Sequence, residues 1–89
     1  MRAVITVIGK DKVGIIAGIS NILADCNVNI LDISQTTMQD VFTMIMLVDI
    51  SASAVAFSEL SGKLEAKGRE IGLSVRIQHE DIFNSMHRI

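Results

Sequence analysis

Residues 9–18, GKDKVGIIAG, restrict the fold more than any other stretch of the chain. A β-branched run from Val4 to Ile8 precedes them, and apolar residues at helical spacing follow: Ile15, Ile19, Ile22, Leu23 and Cys26. The stretch therefore predicts a strand, a tight turn and a helix start. Gly9 is expected to end the strand, since a residue without a Cβ permits a turn with positive φ. Asp11 is the expected N-cap side chain. Gly14 on the first turn leaves backbone N–H groups open to close approach. A helix start carries unpaired donors and partial positive charge, which suit a carboxylate or phosphate. The same residues are also what a plain capped turn would use.

The remaining elements follow in order. Residues 2–8 form the first strand, with Ala3, Ile5 and Val7 on one face and Arg2, Val4, Thr6 and Ile8 on the more open one. Residues 14–26 form a helix. Its interior Gly18 costs about 1 kcal/mol relative to Ala, which points to close packing against the sheet or another helix. Residues 28–38 form a second strand, polar on parts of both faces (Asp32, Ser34, Gln35, Thr37), as suits an edge or an interface. Gln39 and Asp40 make the hairpin turn. Residues 41–50, VFTMIMLVDI, form a central strand with Phe42, Met44, Met46, Val48 and Ile50 toward the helices.

Ser51 or Ser53 is expected to cap a second helix that runs to about Glu70. Its apolar stripe is Ala54, Phe57, Leu60, Leu64 and Ile71, and Gly72 closes it. Residues 73–80, LSVRIQHE, alternate strictly and make a fourth strand with Leu73, Val75, Ile77 and His79 inward. A short helical tail over about 81–89 presents Ile82, Phe83, Met86 and Ile89 on one side. The order βαββαβ predicts an α+β, ferredoxin-like sandwich: a four-stranded antiparallel sheet, two helices on one face and a short C-terminal helix. Residues 1–89 read as a single domain without repeats or linkers.

Composition excludes several trades. A net charge of −2 with both signs mixed gives no field for nucleic acid or a membrane surface. With no Trp, no Tyr and three Phe, the chain lacks the aromatics on which single-stranded nucleic acid stacks. The apolar run Met44 to Val48 is too short to span a bilayer. No signal peptide is read, and a single cysteine fits a reducing compartment, so the cytoplasm is the expected location. Cys26 and the strand-three methionines read as core. His79 and His87 lie close in sequence to no Ser or Cys nucleophile, and no spacing suggests a metal site. No cofactor and no catalytic residue is expected. Among users of this fold, a metal carrier would need paired cysteines in the first turn, and an acylphosphatase-like enzyme an arginine there. Neither is present.

The pattern Gly9, Asp11, Lys12, Gly14, Ile15 resembles the first-turn signature of ACT domains, and Asn27 to Ile30 (NVNI) at the second strand strengthens it. The likeness covers nearly the whole chain and is similar to small stand-alone ACT proteins and to the ACT units of the glycine cleavage repressor. It implies a non-enzymatic regulatory module that binds a small amino acid as a homodimer, paired through strand two and helix one. The ligand positions it implies are Gly9, Asp11, Val13, Gly14, Ile15 and Asn29. Amides near Val13, Gly14 and Ile15 would receive a carboxylate, Asp11 an ammonium, and the Asn29 amide would both donate and accept. Serine-sensing members tend to carry His where this chain has Gly9 and Asn where it has Asp11, and many have Pro in place of Val13. The alternative is an interaction module for a protein partner, with the tail helix as part of the contact.

Overall fold

The computed structural model describes residues 1–10 and 14–81. The order is β1 (Arg2–Lys10), α1 (Ile15–Asp25), β2 (Asn29–Met38), β3 (Val41–Asp49), α2 (Phe57–Ile71) and β4 (Ser74–His79). The strands form one sheet in the order β2-β3-β1-β4, with every neighbouring pair antiparallel. This is the ferredoxin-like βαββαβ arrangement. The expected tail residues Ile82, Phe83, Met86, His87 and Ile89 lie outside the described residues.

The period-2 alternation of the strands decides which side is buried. Ala3, Ile5 and Val7 of β1 and Phe42, Met44, Met46 and Val48 of β3 face the helices and are buried. Val75 and Ile77 of β4 extend the same layer. Ile15, Ile19 and Leu23 of α1 and Leu60 and Leu64 of α2 close it from above, and Cys26 is a buried free thiol beside them. Leu73 is buried just before β4 begins, and His79 at the far end of β4 stacks on Phe57 with ring centroids 4.2 Å apart. β2 is an edge strand, and every residue from Leu31 to Met38 is exposed.

Several local expectations are corrected. Gly9 does not end the first strand. It lies within β1 opposite Phe42, and its φ is not positive. It is bare for another reason: a Cβ there would run into the Leu73 side chain. On the opposite side of β1, Val4 is buried despite lying on the face turned away from the helices, where its cross-strand neighbours are Leu47 and Gln78. Gly18 packs toward the other helix, with the Lys67 Cε 3.2 Å from where its Cβ would be.

Neither Ser51 nor Ser53 caps the second helix. That helix starts at Phe57, and its N-cap Ala56 is extended and makes no side-chain bond. Ser53 spends its hydroxyl locally, donating to the Val55 carbonyl at 2.8 Å. The preceding loop is tied elsewhere, since the Ala54 amide donates to the Cys26 carbonyl at 2.8 Å. Ala54 is consequently exposed and outside the stripe, which comprises Leu60, Leu64 and Gly68, with Phe57 and Ile71 half-buried.

Gly68 brings α2 down onto β4. A Cβ at this position would sit 2.8 Å from Val75 Cγ2 and 2.9 Å from the Leu73 carbonyl oxygen, and the backbone atom has nowhere to go. Gly68→Ala is therefore expected to destabilise by about 1–3 kcal/mol through overpacking, despite the better helix propensity of Ala. Urea denaturation checks this as a lower midpoint at unchanged slope.

Candidate functional site

The end of the sheet where β1 hands over to α1 carries three of the predicted site residues, Gly9, Gly14 and Ile15. Gly14 is the N-cap of α1, in the left-handed region at φ 86° and ψ 4°. That backbone favours glycine, which has no Cβ to strain it. The cap has no side-chain hydrogen bond, and the first turn holds no acidic residue. The amide of Gly18 donates to the Gly14 carbonyl at 2.9 Å, so the amides of Ile15, Ile16 and Ala17 precede the internal bonding of the helix. The helix end thus offers donors and partial positive charge without an acidic side chain from its own first turn to offset them. The Ile15 side chain is buried, which anchors this turn to the core. Asp11 and Val13 lie outside the described residues.

Asn29 stands at the other end. It is exposed, it begins β2, and it pairs with Asp49, which in turn pairs with Arg2. Gly9 lies seven residues along β1 from Arg2. At a strand rise of roughly 3.4 Å per residue, the two ends are about 24 Å apart. Within one chain, therefore, Gly9, Gly14 and Ile15 gather at one end and Asn29 stays apart from them.

Between the two ends runs the outer edge of β2. Its pairing with β3 is regular except for a bulge between Ile30 and Asp32. Leu31 and Ile33 on this strand are exposed, as is Ile16 on α1, the helix that packs against β2. An edge strand presents a row of unpaired N–H and C=O groups on its outer side. A separate groove of about 300 Å³ lies between the helices, among Ile22, Asp25, Cys26, Lys63, Lys67 and Glu70, and includes none of the predicted site residues.

The family model for the ACT domain matches residues 2–78. The chain belongs to the ACT-domain family. A UPF0237 protein of Clostridium acetobutylicum is 62% identical over 89 residues, covering all of both chains. An ACT domain protein from Streptococcus pneumoniae has a solved structure that superposes with a TM-score of 0.81 at 43% identity over 93% of each chain. A protein described as a glycine cleavage system transcriptional repressor shares the fold at a TM-score of 0.74 and 22% identity. The match covers 86% of this chain and 44% of that one. ACT domains are regulatory ligand-binding domains, which places the search for function at binding surfaces. Leu73, which fills the space above Gly9 in this ACT domain, was not singled out from sequence. Its inward position was legible, but nothing local links residue 73 to residue 9.

The Asn29 end has a charge arrangement of its own. Hydrogen bonding from Ser51, its hydroxyl foremost and then its amide at 2.9 Å from Asp49 Oδ1, holds the Asp49 carboxyl below the usual carboxylate range, and the nearby Met1 ammonium adds to this. Because the folded-state value is depressed, the interaction stabilises the fold above the unfolded carboxylate value of about 3.9 and is lost as pH falls through the folded value. NMR titration should show Asp49 titrating below the ordinary aspartate value of about 3.9. Ser51→Ala should move its midpoint up toward the ordinary value.

Proposed function

We propose that this ACT domain is a non-enzymatic regulatory homodimer that binds a small amino acid at the junction between its copies. The observation that carries the reading is the separation of the candidate residues to opposite ends of one sheet, with an unpaired edge strand between them. If two β2 edges pair antiparallel about a two-fold axis near the strand middle, Asn29 of the partner subunit falls beside Met38. Met38 pairs with Val41, and Val41 with Lys10, so this row is the one where β1 leaves the sheet toward α1. Two such sites form per dimer, related by the axis.

In each site the amides near Val13, Gly14 and Ile15 take the carboxylate, Asp11 takes the ammonium, and the Asn29 amide of the partner subunit supplies a donor and an acceptor. Gly9 serves by letting Leu73 close over the end of β1. The chain reports occupancy through binding and carries out no chemistry of its own. Exposed Leu31, Ile33 and Ile16 favour burial of this same edge.

A thermal-shift panel of the twenty amino acids tests the ligand. An amino acid present at about 100 times its dissociation constant should stabilise by about 2.7 kcal/mol, raising Tm by more than about 10 °C in a domain of this size. The double variant Asp11→Ala, Asn29→Ala should lose that shift, and unchanged binding would show the site to be elsewhere. A folded dimer that responds to none of the twenty would favour a protein partner instead. Ile33→Lys, which brings like charges together near the two-fold axis, should halve the solution mass if β2 is the seam.

A further inference from the structure

The face of the sheet turned away from the helices is unusually apolar for a surface that an antiparallel sheet commonly leaves to water. β3 points Val41, Thr43, Ile45 and Leu47 to this side, with no charged residue until Asp49. Register places Val4, Thr6 and Ile8 of β1 beside them, and Met38 across from Val41. Ile8, Met38, Val41 and Ile45 are 45%, 71%, 46% and 37% exposed. Met38 and Val41 are direct partners, and Ile8 and Ile45 stand diagonal to one another across Thr43 and Thr6; together they make an apolar patch of the kind that marks an interface, with the exposed Lys10 opposite Val41 at its end.

We propose that this face is self-complementary and joins two copies of the chain, sheet against sheet. It is a second surface, separate from the β2 edge. Two observations favour a second copy as the occupant.

The first is charge. On this face Arg76 lies on β4, at one margin of the sheet, and Asp32 lies on β2, at the other. Arg76 has no ion-pair partner among the described residues, and the Asp32 carboxylate accepts only the amide of its neighbour Ile33 there. A two-fold axis parallel to the strands, between β1 and β3, lays the β4 margin of one copy over the β2 margin of the other. Arg76 and Asp32 occupy adjacent rows, so the positive margin of each copy meets the negative margin of its mate, twice.

The second is area. Three strands of nine or ten residues and β4 of six, about 4.8 Å apart, present a face of roughly 550 Å², of which the Val4 position is already buried, against the roughly 800 Å² per partner of a standard interface. Aligned sheets pack about 10 Å apart at about −30°, an arrangement that seats β-branched side chains such as Ile8, Val41 and Ile45 between one another.

Light-scattering mass on the full chain, with Ile45→Lys and Val41→Lys as separate variants and circular dichroism to follow folding, tests the proposal. Both positions are exposed, so lysine is expected to leave the fold intact. Each variant should lower the wild-type mass, by half where the face alone joins two chains. Ile33→Lys on the β2 edge acts independently: if both surfaces operate, the wild type is larger than two chains, because the two axes do not meet, and either kind of variant leaves two. A two-chain wild type split by Ile45→Lys but not by Ile33→Lys would support the face and remove the edge dimer. A mass that neither Ile45→Lys nor Val41→Lys changes would overturn the face, whatever Ile33→Lys does. Loss of fold in both lysine variants would also overturn it, because it would show the patch to be covered within one chain.

Discussion

The antiparallel pairing of β1 with β3 is the interaction on which the rest of this domain depends. Nine consecutive residues of β1 find partners on β3, from Arg2 with Asp49 to Lys10 with Val41. Because the pairing is continuous, it fixes which side chains share a face over the full length of both strands. A slip of one residue would turn one strand over relative to the other, sending either Ile5 and Val7 or Met44 and Met46 toward water and bringing Thr6 or Ile45 under the helices. The helices can lie only where the aliphatic layer is, and the two remaining strands can add only at the free edges of this pair. An 89-residue chain with three aromatic residues has little surplus apolar surface to offset such a slip.

Much of this was legible in the sequence because the strands obey local rules. LSVRIQHE alternates at period two, and both the strand and its buried set (Leu73, Val75, Ile77) are found where the alternation puts them. The polar β2 and the apolar β3 read as edge and centre, and the sheet order agrees. What was misread depends on contacts between distant parts of the chain. Ser51 and Ser53 are good caps by composition, but the Ala54 amide is taken by Cys26, and α2 begins only at Phe57. Gly9 has the look of a turn glycine, yet it is a strand residue kept bare by Leu73. Val4 lies on the open face where the alternation puts it, yet it is buried. In each case the deciding atom belongs to a residue far along the chain or on another strand.

The candidate site was legible only as a set of residue types. Spacing puts Gly14 on the first turn with Asp11 as cap and Gly9 as the turn glycine; instead Gly14 is itself the N-cap, and the left-handed backbone is there. Spacing does not say that Asn29 stands a sheet-length away from it, since that follows from strand register alone. Membership of the ACT family supplies the regulatory character. The geometry adds that the candidate residues stand at opposite ends of a single copy; under the proposed dimer, ligand affinity and subunit association would be two aspects of one equilibrium.

The two loops at the Asn29 end are fastened to each other. The Ala54 amide donates to the Cys26 carbonyl, and Asn27 Nδ2 donates to the Ala52 carbonyl at 2.9 Å. The first joins the exit of α1 to the approach to α2, and the second lies two residues before β2 begins. These bonds act as a crossbar between the first and second βαβ halves of the chain. Val28, between Asn27 and Asn29, is buried in the core and its amide donates to the Leu23 carbonyl at 2.8 Å, so the start of β2 is held by the hydrophobic layer and by residues 52–54 together.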